Sequence, residues 1–280
     1  MKWSIYIIIA LAIISSCKSD QELGHKVTAK KSSYFEALIG DSINYNEIRV
    51  YDQRRDSIQL VFLLHGHGGN QDDWFEEGEG SIQNIMSDLG DSLNTNFLMV
   101  SLDAGNSWYV DRHLPMESIY INSFIPFIID NYSASEIKEM FWLAGNSAGG
   151  YGALRLTLKN PELFSEVLLL SAAAYNPIPP DISSSRKIDV FADEQGFNDS
   201  IWMSYNYPNI TIQENTDYPH YQITSGRQDK YGTYEVLKDI AFHFDTLNIN
   251  YDTTAIDGGH DWKTWKILFR DWIIQNSKSL

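Results

Sequence analysis

Cysteine is almost missing from this chain: Cys17 is the only one, so no disulfide can close within it. Positive charge is also scarce, with 21 Lys and Arg against 37 Asp and Glu and a formal net charge of −16. A nucleic-acid partner is therefore not expected, because phosphate binding draws on a basic surface. Polyanionic substrates are mildly disfavoured by the same average field. The longest N-terminal apolar run, residues 5–14, is too short for a comfortable membrane span. Metal-ligand spacing is lacking as well. His65 and His67 are two apart and could share a strand face, but Gly66 and Gly68 break the strand, and no Cys or further His follows at ligand spacing. No internal repeat is present. What remains is 280 residues with 43% hydrophobic and 21% charged content, enough for one sizeable globular core.

The first residues carry an address. Lys2, the apolar run 5–14 and the small residues Ser15-Ser16 describe a secretory signal peptide. The ending Ile14-Ser15-Ser16-Cys17 resembles a bacterial lipobox, in which Cys17 becomes the lipid-modified start of the mature chain; a plain signal peptide cut nearby is the alternative. On this reading residues 1–17 are removed or lipidated, 18–32 form a polar tether, and 33–280 are the catalytic body. The protein is then exported and anchored to the bacterial cell envelope through its N-terminal lipid.

Beyond the tether, buried strands and helices alternate. Strands are expected at residues 34–39 and 44–51, meeting at Gly40-Asp41, and at 59–64, 96–102, 140–144, 166–171, 220–225 and 250–256. Residues 74–89 are expected to run as loop and then helix, and helices are expected at 118–131 with a kink at Pro126, 151–156, 234–247 and 264–275. Such alternation implies a mainly parallel sheet covered on both faces, an α/β fold. Residues 175–219 break the rhythm with Pro177, Pro179, Pro180 and a serine run, and read as a lid-like excursion over the core.

The chain is organised around Leu143-Ala144-Gly145-Asn146-Ser147-Ala148-Gly149-Gly150. Gly145, Ser147 and Gly149 fit Gly-x-Ser-x-Gly, a sharp strand-to-helix turn that lifts a serine hydroxyl clear of a sheet. A base and an acid should follow in the order Ser, Asp or Glu, His. Of the histidines after Ser147, only His260 stands in a glycine turn after a strand; His220 and His243 sit in ordinary strand and helix settings. Asp229 closes the turn after the penultimate strand and is the favoured acid, with Asp189, Asp193 and Asp257 as alternatives. Two backbone donors are needed for a developing oxyanion. The N–H of Ala148 supplies one, and the glycine-rich loop His65-Gly66-His67-Gly68-Gly69 supplies the other, at His67.

These segments, with Trp74, Ser107-Trp108-Tyr109-Val110-Asp111 and Gly258-Gly259-His260-Asp261-Trp262, resemble the esterase D-like family of esterases. That family of α/β-hydrolases includes feruloyl and acetylxylan esterases, S-formylglutathione hydrolases and mycolyltransferases. The resemblance runs from about residue 33 to the C-terminus and implies an α/β-hydrolase fold. It also implies Ser147 as nucleophile, Asp229 as acid, His260 as base, oxyanion donors at His67 and Ala148, and no cofactor. Three positions depart from the family pattern: Ala148 replaces a common Met, while Asn146 and His67 replace leucines. The last two polarise the cleft and bear on substrate choice. Of Trp74, Trp108, Tyr109, Trp262 and Trp265, with Trp202, Tyr205 and Tyr207 of the excursion, about half are expected to line the cleft and the rest to be core; Trp108, Tyr109 and Trp262 are the ones expected to offer flat faces to a sugar or aromatic acyl group. The expected activity is hydrolysis of small or carbohydrate-borne esters. A thioesterase of the S-formylglutathione type, or a binding lipoprotein that lost activity, are the competing readings.

Overall fold

The computed structural model describes residues 24–132, 137–213 and 216–278. The expected signal peptide, with Cys17, and residues 18–23 of the expected tether lie outside the described residues. Ten strands are described: β1 (Lys26–Glu36), β2 (Asp41–Tyr51), β3 (Ile58–Leu64), β4 (Asn96–Leu102), β5 (Phe141–Asn146), β6 (Phe164–Leu170), β7 (Ala192–Asp193), β8 (Gly196–Phe197), β9 (His220–Gly226) and β10 (Tyr251–Ile256). The helices are α1 (Ile82–Leu89), α2 (Met116–Ile119), α3 (Ile125–Asp130), α4 (Ala148–Lys159), α5 (Asp199–Tyr205), α6 (Thr233–Leu247) and α7 (Trp262–Ser277).

Eight strands form one sheet in the order β1-β2-β4-β3-β5-β6-β9-β10, while β7 and β8 make a small separate hairpin. The β1–β2 and β2–β4 pairs are antiparallel, and every pairing from β4 to β10 is parallel. The central strands are apolar runs because both of their faces are covered. In β3, Leu60, Phe62 and Leu64 pack into a core with residues of α2, α3, α4 and α6. Their neighbours Val61 and Leu63 point the other way, into a second core with α1 and α7. The α/β-hydrolase architecture expected from the sequence is thus the one observed.

Two elements differ from expectation. The tether reading fails from Lys26 onward, because residues 26–32 belong to β1 and pair in register with β2, Lys26 opposite Tyr51 through Ser32 opposite Tyr45. Most of their side chains are exposed, so the sequence shows no hydrophobic alternation; backbone pairing holds them, and lysines guard the edge. The 118–131 helix begins at Met116 and widens into a π-helical turn over Tyr120–Phe124 before α3. Pro126 sits in the first turn of α3, where its missing N–H is tolerated, and the irregularity falls in the turn before it. The excursion is not without structure. It carries β7, β8 and α5, and Trp202 Nε1 and Asn206 Nδ2 both donate to the Tyr175 carbonyl, at 3.3 and 2.8 Å.

Candidate active site

The turn between β5 and α4 is as tight as its glycines suggest. Ser147 has φ 55° and ψ −115°, a conformation that strains a residue with a Cβ. A Cβ added at Gly145 would stand 2.2 Å from the Gly149 carbonyl oxygen, so strand and helix could not close together. One added at Gly66 would stand 3.0 Å from Asn146 Nδ2 and 3.6 Å from Ser147 Cβ. The loop after β3 therefore lies directly against the serine turn.

Three loops from separate strand ends meet here. Ser147 Oγ is 2.8 Å from His260 Nε2, and His260 Nδ1 is 2.6 Å from Asp229 Oδ2. The Asp229 side chain is fully buried, and Oδ2 also accepts from the Thr233 hydroxyl at 2.6 Å while Oδ1 accepts from the Tyr231 N–H at 2.9 Å. Burial pushes this carboxyl up, but the hydrogen bond and charge of His260, with Thr233 and Tyr231, outweigh it and hold Asp229 below its ordinary value. The His260 ring is wedged between Tyr231 and Trp265, with centroids 4.7 and 4.9 Å away. The candidate acids left open by the sequence lie elsewhere. Asp257 is exposed and paired with Arg227 at 3.6 Å, Asp193 caps Gln195 and Asn198, and the Asp189 carbonyl meets His113.

Both expected oxyanion donors lie beside the serine. Ala148 opens α4, so its N–H has no carbonyl within the helix to bond. The His67 N–H has no backbone acceptor among the described residues. His65 and His67 do not share a face. His65 is buried, with Nδ1 2.9 Å from the Gly66 carbonyl and Nε2 accepting from the Ala104 N–H at 3.0 Å, which fixes a neutral tautomer with the proton on Nδ1. Desolvation pushes its pKa down accordingly. It ties the loop after β3 to the loop after β4, whereas the His67 ring leans out toward Trp108. Among the described residues no cluster of three or more His, Cys, Asp and Glu is placed to hold a metal ion.

The serine opens into a cleft of about 340 Å³ whose walls include Asp73, Glu79, Tyr175, Tyr231, Trp262 and Trp265. Of the three aromatic residues expected to bind substrate, only Trp262 lines it. Trp108 and Tyr109 require correction: they are 2% and 1% exposed and belong to the core. The Trp108 ring packs edge-on against Tyr151, Phe191 and Trp202, and the Tyr109 hydroxyl donates to the His65 carbonyl. Both have positive φ, 53° and 58°, in a turn that folds them inward under the excursion. Trp74, Trp202 and Tyr207 are likewise buried. The sequence reading missed Asp73, Glu79, Tyr175, Tyr231 and Thr233. Only Thr233 left a local trace, a hydroxyl one helical turn beyond the acid. Asn146, singled out as polarising the cleft, does line it; it is 2% exposed, and its Oδ1 finds no partner among the described residues.

A mainly parallel eight-stranded sheet with a serine at a strained elbow, a histidine and a buried aspartate at its carboxyl edge defines an α/β-hydrolase. Residues 46–274 match the family model described as "Putative esterase", and the chain belongs to that family. It is a carboxylesterase by class. A curated acetyl esterase from Caldicellulosiruptor saccharolyticus is 24% identical over 246 residues, 76% of this chain and 81% of that protein. Among solved structures, a ferulic acid esterase superposes with a TM-score of 0.70 at 16% identity, covering 91% of this chain and 99% of the other. An S-formylglutathione hydrolase from Staphylococcus aureus gives 0.66 at 17% identity, covering 91% and 98%.

Proposed function

We propose that the protein is a serine-dependent esterase acting on acyl esters of carbohydrates, with Ser147 as nucleophile, His260 as base and Asp229 as the acid that orients it. The observation that carries this reading is the unbroken chain from Ser147 Oγ through His260 to Asp229, 2.8 and 2.6 Å, at the floor of an open cleft. Asp229 accepts a hydrogen bond from His260 Nδ1–H, which keeps that proton on Nδ1 and leaves Nε2 free to take the serine proton as Oγ attacks the ester carbonyl. The tetrahedral oxyanion rests on the N–H groups of His67 and Ala148, aided by the N-terminal end of α4. The alcohol leaves with the proton from His260, and water then releases the acyl group by the same steps reversed. No step requires a cofactor.

The character of the cleft supports a carbohydrate alcohol. Asp73 and Glu79 face it as acceptors, and Trp262 and Tyr231 offer aromatic faces suited to a sugar ring. Burial raises the pKa of both carboxyls; for Glu79 the nearby Asp73 and Glu76 add to it. An anionic thioester such as a glutathione conjugate would meet repulsion there. The acetyl esterase and ferulic acid esterase similarities favour the same substrate class. A panel of esters tests the reading. We expect kcat/KM for acetylated or feruloylated sugars to exceed that for long aliphatic esters, and a steady rise with aliphatic chain length would sink it.

The lipid anchor at Cys17 belongs to the same proposal, since carbohydrate polymers are met outside the cell. Cys17→Ser should move the protein from the membrane to the soluble fraction with kcat/KM unchanged. Membrane association that survives the substitution would count against lipidation.

A further inference from the structure

The acid and the base reach the serine on two loops, and one residue joins those loops by both its backbone and its side chain. The ladder between β9 and β10 ends with Gly226 opposite Ile256. Past it the chain runs on from β9 to Asp229 and from β10 to His260. Where a ladder ends, the next N–H and C=O groups need other partners. Gln228 takes both of those on Gly258. Its backbone N–H donates to the Gly258 carbonyl at 2.9 Å, and its side-chain Oε1 accepts from the Gly258 N–H at 2.6 Å. Its Nε2 faces Asp257 Oδ1 at 3.5 Å. An N–H on one side and a carboxylate on the other demand the same amide orientation. The side chain does for Gly258 what a further peptide of the ladder would do.

These bonds bear on His260 and not on packing. Gln228 is exposed and belongs to neither apolar core. The two loops approach closely, since a Cβ added at Gly226 would stand 2.4 Å from the Gly258 carbonyl oxygen. On the far side of the histidine Asp261 caps α7, its Oδ1 accepting from the Thr264 N–H at 2.9 Å. His260 therefore rides on a short span pinned at Gly258 and at Asp261. The Gly258 pin is fastened to the residue next to Asp229, so it also governs the separation of acid and base. That separation is 2.6 Å between His260 Nδ1 and Asp229 Oδ2, and a hydrogen bond weakens steeply as its angle and length drift.

From this arrangement we infer that Gln228 is a positioning residue for the triad: by holding both main-chain groups of Gly258 it seats His260 against Asp229. This rests on the esterase reading above and deepens it. Gln228 does not line the serine cleft and acts only through the histidine. Loosening the span leaves the base in place but lowers the fraction of time in which Nδ1 meets Asp229 while Nε2 meets Ser147. A catalytic group displaced by about 1 Å can cost about 10²-fold in rate. An exposed amide that contributes little to folding can therefore weigh heavily on kcat. It should leave KM alone, because substrate contacts are made elsewhere.

The test uses the full chain and p-nitrophenyl acetate. Gln228→Leu keeps the length of the side chain and removes its acceptor. Its kcat should fall about tenfold or more, with KM within about twofold of the parent and the melting temperature unchanged. Gln228→Glu, whose carboxylate can still accept from the Gly258 N–H, should keep kcat within about threefold of the parent. In an Asp229→Asn background, where the acid no longer orients the ring, Gln228→Leu should cost little more. A readout independent of activity is amide hydrogen exchange over residues 257–261. It should run about fivefold or more faster in Gln228→Leu, as expected for one lost hydrogen bond. Unchanged exchange, unchanged kcat, a Glu variant as poor as the Leu variant, or a full further loss in the Asp229→Asn background would each overturn the assignment. A parent that hydrolyses no ester, with exchange responding as expected, would bring down the esterase reading and leave the Gln228 clamp standing.

Discussion

Ser147→Ala should lower kcat/KM for any ester the protein hydrolyses by about 10⁴-fold or more, leaving only what the oxyanion site and binding provide. The loss should appear in kcat, because Oγ forms the acyl bond and contributes little to holding the substrate. Folding should be unaffected. Alanine keeps the Cβ that the elbow at φ 55° already accommodates, and the Ser147 N–H bond to the Leu170 carbonyl, 2.9 Å, is made by backbone. The strain at this residue gives a second, independent readout. Ser147→Gly, freed of the Cβ, should be equally inactive yet more stable by about 1 kcal/mol, within the range that strained backbone positions store. A Ser147→Ala protein with near-normal turnover, melting as the parent does, would end the serine mechanism.

Asp229→Asn should be nearly as damaging, again about 10⁴-fold in kcat, because of which proton sits where. An amide at this position can donate to His260 Nδ1, which drives the imidazole proton onto Nε2 and leaves no lone pair facing Ser147. The geometry should survive, since the Tyr231 N–H can still bond the side-chain oxygen and the Thr233 hydroxyl, 2.9 Å from Ser225 Oγ, can turn to accept from the amide. Loss under tenfold would mean that another carboxylate serves His260. The pH dependence carries a definite sign. Asp229 titrates below its ordinary value of 3.8 in the folded protein, so its contribution to stability is full above that value and is lost as the pH falls through its lower folded pKa. Parent and Asp229→Asn proteins should therefore differ most in stability at neutral pH and converge in strong acid. A gap that widened on acidification would contradict the network around the carboxyl.

The same residues mark the boundary between local and long-range information. The serine elbow is legible because its requirement is local: close approach of strand and helix excludes a Cβ, and only glycine meets that within a few residues of chain. His260 is legible for a similar reason, standing in a glycine turn after the last strand, and the buried apolar runs announce the parallel strands. Asp229 could be favoured by its place in the chain order but not separated from Asp189, Asp193 and Asp257, because nothing local distinguishes a buried carboxylate from a solvated one in so acidic a sequence. Tertiary structure separates them, burying the Asp229 side chain against His260 and Thr233 and leaving Asp257 exposed.

The aromatic residues show the opposite case. Trp108 and Tyr109 sit in a loop beside the site, and composition alone makes them equally fit for core or cleft. The left-handed turn that points them inward, and the contacts of Trp108 with Phe191 and Trp202 of the excursion and of Tyr109 with His65 and Tyr120, are made across tens of residues or between separate segments. The start of β1 was hidden for a related reason, since an edge strand held by backbone pairing needs no hydrophobic pattern. The sequence by itself thus determined the fold class, the serine, the histidine and the loop that lies against them, each through steric or periodic demands expressed within a short stretch. Only the folded chain decided which carboxylate is buried and which aromatic faces are open. Those outcomes depend on packing between segments far apart, which no short stretch of sequence encodes.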